Sequence, residues 1–314
     1  NTVLPELPLG KREGSGFFPI ADRFTLAPFV ASGDLDGRRP RRGSAPAEIR
    51  PSPGRNSRNL SRIAALMHLF ADISGHGLGH LAISAPILNA LARKRTDLRL
   101  TIRSAIPTER LRQRIGIEFT HWQQASDFGF RMLDALSVDR IASAAEYREV
   151  HADWDRRVAR DAATISDLAP DLVFANVSYL ALAGAAAAGV PAVAACSLNW
   201  ADLFAHFFGA EAWAAPIHAE MLAAYRSASA FLRITPGMPM AKLARVVPIG
   251  VVASPGRPCD LGLPTGTRAV LLALGGISHR LPVEDWPTRP DICWILPEEW
   301  RCRRADTRSV ESFG

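Results

Sequence analysis

Several features that would assign this chain to a special class of protein are scarce or absent. Its four cysteines, Cys196, Cys259, Cys293 and Cys302, do not form the closely spaced pairs that a zinc site or a redox motif requires. The most apolar stretch, around residues 180–195, is interrupted by glycine and proline and consists largely of alanine, so we expect no transmembrane segment. The first residues do not combine a charged stretch with an apolar one, so no secretory signal is predicted and we expect a cytoplasmic protein.

An excess of positive charge is confined to the N-terminal part of the chain. The net charge is +6, but residues 1–62 hold 11 Lys and Arg against 6 Asp and Glu, which leaves 26 against 25 for the rest. Because residues 1–62 are rich in Pro, Gly, Ser and Arg and lack helical or strand periodicity, we predict a disordered basic tail. The tail contains neither interleaved aromatic residues nor a recognisable binding module, so no specific nucleic-acid partner is predicted.

The pattern of apolar runs beyond the tail predicts an α/β domain. A short apolar strand at 66–71 leads through a glycine-rich turn into an amphipathic helix at 81–93, and a second strand follows at 98–103. Such βαβ units recur along the domain and imply parallel strands with right-handed crossovers. We therefore predict a Rossmann-like, doubly wound parallel sheet, with one long helix at 140–168 that begins after an N-cap at Asp139.

The chain is predicted to comprise four segments. They are the tail at 1–62, the Rossmann-like domain at 63–250, a Pro/Gly-rich linker at 251–268 and the start of a second domain at 269–314. Since a complete half of a two-domain fold needs on the order of 100 residues, we expect this second domain to be incomplete.

The turn after the first strand is the segment richest in chemical information. It reads Ser74-Gly75-His76-Gly77-Leu78-Gly79-His80. Glycines let a phosphate approach the amides at a helix N-terminus, although close packing of strand and helix also favours glycine there. The turn has no Lys-Ser/Thr pair, which excludes a P-loop, and the second strand ends in Arg103 and Ser104 where a dinucleotide site needs an acid. We therefore predict a phosphorylated or sugar ligand and no cofactor.

Two histidines, His76 and His80, lie in and just after this turn. Their four-residue spacing would suit a metal ion on one helix face, but no third ligand is apparent, so no metal is predicted. Near the positive end of a helix, the neutral form of His80 is favoured and can accept a proton from a substrate hydroxyl. The alternative role of His80 is that of a capping or core histidine.

The turn is similar to the Gly-His-Gly-x-Gly-His turn of the glycosyltransferase-like N-terminal region of plant L-arabinokinases and bacterial homologues. A more distant likeness is to the family that adds N-acetylglucosamine to the peptidoglycan lipid intermediate. The resemblance covers about residues 66–276. Further matching segments follow in the same order, at 134–140, 170–175, 189–193, 197–200 and 238–240.

This resemblance implies a GT-B-type glycosyltransferase with inverting, metal-independent transfer from a nucleotide sugar, whose nucleotide is held mainly by a C-terminal domain. His80 is the candidate catalytic base. The resemblance gives Asp139 weight as a second catalytic residue, against its role as a helix cap. The chain departs from the family at Asn176, where relatives generally carry an acid, and this weakens a base role there.

Ligands of such folds bind beyond the carboxyl ends of the parallel strands. Trp200 has two interpretations, since its ring would either stack on a sugar or belong to the core. The residues predicted to line the cleft are Ser74, Gly75, His76, Gly77, Gly79, Asn176, Ser178, Ser197, Asn199 and Trp200.

Three functions are compatible with these observations. The first is a glycosyltransferase, of which this chain alone could be inactive. The second is a non-catalytic, regulatory module that binds a sugar nucleotide or sugar phosphate, and the third is a fragment without retained function. The expected ligand is a nucleotide sugar or a sugar phosphate, and the sequence predicts no particular oligomeric state.

Overall fold

The computed structural model describes residues 66–256, 258–274 and 279–313. The tail predicted at 1–62 lies outside the described residues. The main element is a seven-stranded sheet with the order β3-β2-β1-β4-β5-β6-β7. Its strands are β1 (Met67–Ile73), β2 (Leu98–Ser104), β3 (Thr120–Gln123), β4 (Leu172–Asn176), β5 (Ala192–Cys196), β6 (Ala230–Ile234) and β7 (Val246–Ile249).

Every pair of neighbouring strands in this sheet is parallel. Strand β1 pairs on one side with β2, where Met67 lies opposite Leu98, and on the other with β4, where Leu69 lies opposite Leu172. The strand order reverses between β1 and β4, so the predicted Rossmann-like, doubly wound sheet is confirmed. Such a reversal opens a crevice at the carboxyl ends of the two strands, where ligands of these folds bind.

Seven α-helices are found in the described residues. The prediction of one long helix at 140–168 is wrong, because the helix is interrupted at Asp153, whose φ of −126° is not helical. Trp154, the first residue after the interruption, is buried, and its ring stacks on that of His151 with centroids 4.9 Å apart. The helices are α1 (Gly79–Lys94), α2 (Thr108–Arg112), α3 (Arg140–Ala152), α4 (Trp154–Leu168), α5 (Tyr179–Ala187), α6 (Trp200–Phe208) and α7 (Ala214–Ser227).

Apolar side chains cover both faces of the sheet, as its doubly wound topology requires. The adjacent residues Leu69 and Phe70 of β1 are both buried and belong to different core clusters. The cluster of Leu69 includes Leu88 of α1, whereas that of Phe70 includes Trp200 of α6. Burying each such side chain contributes about 1.5–3 kcal/mol to folding. The core therefore holds β1, and the turn that follows it, in a fixed position.

A buried cluster of charges lies on one side of β1. Arg103 of β2 donates from Nε to Asp72 of β1 at 2.5 Å, and its other nitrogens donate to Asp161 of α4. Burial alone would lower the pKa of Arg103, but the two carboxylates raise it above its ordinary value. A Cβ on Gly184 of α5 would lie 2.5 Å from Oδ2 of Asp161, so the cluster needs glycine at this position. The arginine at the end of β2 therefore supplies the counter-charge of two buried carboxylates.

A second, three-stranded parallel sheet has the order β10-β9-β8. Its strands are β8 (Arg268–Leu271), β9 (Ile292–Leu296) and β10 (Thr307–Ser309). A small apolar cluster around Val283 and Trp300 packs near it. The predicted linker contains no helix or strand among its described residues before Arg268, while the domain boundaries themselves stay a prediction. Of the helices that the structure describes, none combines the length and the apolar character needed to cross a membrane.

Candidate functional site at the switch point of the sheet

The glycine turn joins β1 to α1 at the carboxyl edge of the sheet, beside the end of β4. Gly77 has a φ of +90°, a conformation that side chains with a Cβ rarely adopt. Apart from the adjoining residues of the chain and the backbone of α1 itself, no described atom lies within 4 Å of the place that a Cβ would take at Gly77 or Gly79. Both glycines therefore border open space, as a turn that accepts a ligand must.

Gly75 is required for a different reason. A Cβ at this position would lie 2.9 Å from Cβ of Ala105, so Gly75 allows the turn to pack against the end of β2. Helix α1 then begins at Gly79 without a side-chain cap, since Leu78 occupies the N-cap position. Amides at such an uncapped helix end are available to a polar or anionic ligand.

His80 is buried in the first turn of α1 and its ring has a defined orientation. Its Nδ1 lies 2.8 Å from Oδ1 of Asn176, and Nδ2 of Asn176 faces the carbonyl oxygen of His80 at 3.4 Å. The amide oxygen accepts, so Nδ1 carries the proton and Nε2 keeps its lone pair. Nε2 has no hydrogen-bond partner among the described residues. The contact joins α1 to the end of β4 across the switch point.

The surroundings of His80 favour its neutral form. Burial lowers the pKa of His80, and this effect outweighs the opposing hydrogen bond to Asn176, while His76 lowers the pKa further. A neutral imidazole with a free Nε2 can accept a proton from a hydroxyl group. The amide of Asn176 orients the ring, but it stabilises an imidazolium less than a carboxylate would.

His76 lies against the loop that follows β3. Its Nε2 is 3.0 Å from the carbonyl oxygen of Phe130, to which it donates, and its ring contacts Trp200 edge-on at 5.2 Å between centroids. Gly129 makes this packing possible, because a Cβ there would lie 2.8 Å from both rings. The ring of His76 is thus fixed by contacts with the protein.

Asp127 is a central residue of the site that the predicted set omits. Its Oδ1 accepts from Oγ of Ser74 at 2.9 Å and its Oδ2 accepts from Nε1 of Trp200 at 2.8 Å. Burial raises the pKa of Asp127, and these two hydrogen bonds partly oppose the rise. The sequence shows Asp127 as one of two acids that flank residues 128–138, but it contains no sign of its partners.

The other acid, Asp139, caps α3 as the sequence predicts. Its carboxylate accepts from the amide of Ala142 at 2.9 Å. Within the described part of the chain, it makes no hydrogen bond to the glycine turn. The catalytic role of Asp139 stays a prediction.

Several predicted cleft residues serve the scaffold at the ends of β4 and β5. Ser178 caps α5 by accepting from the amide of Ala181, and Asn199 caps α6 by accepting from the amide of Asp202 at 2.8 Å. Both cap residues are fully buried. The carbonyl oxygen of Ser197 accepts from the amide of Met238. These side chains and this carbonyl support the strand ends that form the cleft.

Trp200 is also brought to the site, in a buried position. Trp200 is 2% exposed, and its ring packs against the rings of His76, His80 and Phe130. Stacking on a sugar needs an exposed ring face, so in this structure Trp200 supports the two histidines instead. No group of three or more His, Cys, Asp or Glu residues in the described ranges is arranged to hold a metal ion.

The strand order and the site define a Rossmann-like α/β protein with a glycine turn at its switch point. No family model and no curated protein sequence matches the chain. Solved structures with some likeness include the glycotransferase of kitacinnamycin, at 16% identity over 77% of this chain and 70% of that one, with a TM-score of 0.47.

Two further solved structures are the glycosyltransferase SnogD from Streptomyces nogalater and the calicheamicin glycosyltransferase CalG4. SnogD shows 17% identity over 78% of this chain and 71% of its own, with a TM-score of 0.44. CalG4 shows 13% identity over 78% and 70%, with a TM-score of 0.48. With all three scores below 0.5, the fold class rests on the strand order and the function has to be argued from the site.

Proposed function

We propose that this protein is a glycosyltransferase that moves a sugar from a nucleotide-sugar donor to a hydroxyl group of an acceptor, with His80 as the catalytic base. The observation that carries this proposal is the neutral, oriented His80 beside an open glycine turn at the switch point. The similarity of the turn Ser74–His80 to the glycosyltransferase-like region of L-arabinokinases supports it.

The proposed step moves one proton and one glycosyl group. Nε2 of His80 takes the proton of the acceptor hydroxyl, and the oxygen forms a bond to the anomeric carbon of the donor sugar. The bond between that carbon and the nucleoside diphosphate breaks, and the diphosphate leaves with the electron pair. Attack from the side opposite the leaving group inverts the configuration. The uncapped amides at Gly79 are suited to a phosphate group of a substrate.

A non-catalytic module that binds a sugar nucleotide or sugar phosphate is the second candidate. It is favoured by Asn176, because an amide at 2.8 Å orients His80 without supplying the negative charge that would stabilise its protonated form. Binding without turnover would distinguish this function from the first.

The test is a replacement that removes only the basic nitrogen. In His80→Asn, the side-chain amide keeps a donor close to the position of Nδ1, so the bond to Asn176 is retained while Nε2 is lost. We expect turnover of a nucleotide sugar by the parent chain and a loss of about 10²- to 10⁴-fold in the variant. Melting temperature and Kd for the nucleotide sugar should change little.

His206→Asn is the matched control, since His206 is an exposed histidine of α6. A panel of UDP-, dTDP-, ADP- and GDP-sugars is screened for both binding and turnover, and sugar phosphates are screened for binding. A parent chain that binds a nucleotide sugar or sugar phosphate but never turns over a donor would favour the binding module over catalysis by this chain alone. Absence of both binding and turnover would count against both functions for this chain alone.

A further inference from the structure

The loop between β3 and α3 is fastened to the site by two adjacent residues. Ser126 donates from Oγ to Oδ1 of Asp72 at 2.5 Å, within the buried charge cluster. Asp127, the next residue, accepts from Ser74 at 2.9 Å and from Trp200 at 2.8 Å. The carboxylate of Asp127 therefore connects the glycine turn to the start of α6.

These contacts extend to both histidines of the turn. Oγ of Ser74 accepts from the amide of His76 at 3.3 Å while it donates to Asp127, so the carboxylate holds the backbone of the turn through the hydroxyl group. The ring of Trp200, held at its Nε1, lies 5.2 Å from the ring of His76 and 5.7 Å from that of His80.

The two partners of Asp127 explain why a carboxylate occupies this place. The indole N–H of Trp200 can only donate. The hydroxyl of Ser74 already accepts from a backbone amide, and its proton is directed at Asp127. Two donors thus converge on one side chain, and a carboxylate offers two acceptor oxygens where an amide offers one.

We propose that Asp127 is the positioning residue of this site, which holds the glycine turn and both histidines in the geometry that receives a ligand. The ligand is that of the proposed function, and in this respect the inference depends on it. Asp127 acts through Ser74 and Trp200, and it does not itself take part in proton transfer.

The deciding experiment measures hydrogen exchange of amides 74–80 in the unliganded protein, for Asp127→Asn, Ser74→Ala and the double variant. We expect each single change to speed exchange by about tenfold or more, because local opening becomes easier. The double variant should exchange no faster than the faster single variant, since both changes break the same link. Asp167→Asn, at an exposed position of α4, is the control.

A spectroscopic signature separates positioning from a general loss of structure. The indole N–H resonance of Trp200 should move in Asp127→Asn and stay in place in Ser74→Ala, although both variants loosen the turn. Kd for UDP should rise about tenfold or more in both variants at an unchanged melting temperature, consistent with the loss of one charge-assisted hydrogen bond.

Exchange of amides 74–80 that stays within twofold of the parent in both single variants would overturn the proposal. Additive effects in the double variant would do the same. If Asp127→Asn fails to fold, Ser74→Ala tests the same link alone. If the parent does not bind UDP or any other nucleotide, the proposed function loses its support, and the exchange data still decide the role of Asp127.

Discussion

Nδ1 of His80 donates to Oδ1 of Asn176 across 2.8 Å, so the last residue of β4 determines which nitrogen of a histidine in α1 can accept a proton. Replacing Asn176 by Asp would put a negative charge at the same distance. We expect the pKa of His80, which burial now lowers, to rise measurably, because the carboxylate favours the imidazolium. An NMR titration of the His80 ring measures this, with exposed His206 as the reference.

The outcome also bears on catalysis. If His80 is a base, a carboxylate partner that stabilises the imidazolium should increase turnover in Asn176→Asp at neutral pH. A titration of His80 that is the same in parent and variant would show that the two residues are not coupled in solution.

Arg103 should be among the residues least tolerant of replacement. Arg103→Met would leave Asp72 and Asp161 buried without their counter-charge, and breaking a buried ion pair from one side typically costs about 3–5 kcal/mol. Urea unfolding at pH 7 measures the loss. Replacing both acids by Asn in the same chain should restore much of it, and a single-variant loss below about 1 kcal/mol would argue against the buried cluster.

Asp72 should give the protein a measurable pH dependence. Burial raises the pKa of Asp72 from 3.8 to about 6, against the opposing effect of Arg103. The folded state therefore binds the proton more tightly than the unfolded one, and this contribution to stability is complete below about pH 4 and lost as the pH rises through 6.

The side chain of Asn at position 72 does not titrate. The free energy of unfolding of Asp72→Asn should therefore rise relative to that of the parent between pH 4 and pH 7. The expected gain is about 2–3 kcal/mol, from a shift of roughly two pKa units. Unfolding curves at four pH values measure it, with Asp167→Asn as the control. A difference between Asp72→Asn and the parent that is constant with pH would show that Asp72 is charged throughout.

Gly79 offers the cleanest test of ligand access. Gly79→Ala adds one methyl group at the start of α1, where no described atom outside the adjoining residues and the helix backbone lies within 4 Å, and where φ is not positive. We expect stability to stay equal or rise by up to about 1 kcal/mol, because Ala favours helix. Binding of nucleotide sugar or sugar phosphate should weaken, because the methyl group enters the open space.

Gly77→Ala is the counterpart, in which a φ of +90° adds strain of about 1–2 kcal/mol to the same steric effect. Calorimetry of binding and melting for both variants separates the two causes. Tight binding by Gly79→Ala would mean that the ligand does not approach this side of the turn.

Local patterns in the sequence predict most of the sheet and the caps. The strands predicted at 66–71 and 98–103 lie within two residues of the bounds of β1 and β2. The cap at Asp139 was predictable because its hydrogen bond joins residues only three positions apart. Asp127 could not be placed in this way, since its partners lie 53 and 73 residues away and are selected by the fold. For the same reason the sequence could not show that Arg103 turns inward to Asp72 and Asp161.

Among the predicted cleft residues, too, the sequence predicts position better than role. The rule that ligands gather at strand ends assigns His80 and Asn176 to the same edge of the sheet, where a hydrogen bond joins them. It could not distinguish residues that face a ligand from those that hold the strand ends, such as Ser178 and Asn199, since both kinds occur at the same sequence positions.

The contact between Gly184 and Asp161 constrains how this sequence can change over time. A side chain larger than that of glycine at position 184 would clash with the carboxylate of Asp161. Loss of that carboxylate would in turn remove a hydrogen-bond acceptor of the buried guanidinium of Arg103. The three positions lie on a strand and two helices, yet each is an acceptable site for substitution only if the others change with it. Among related chains, residues 103, 161 and 184 should therefore be inherited, and exchanged, as a set.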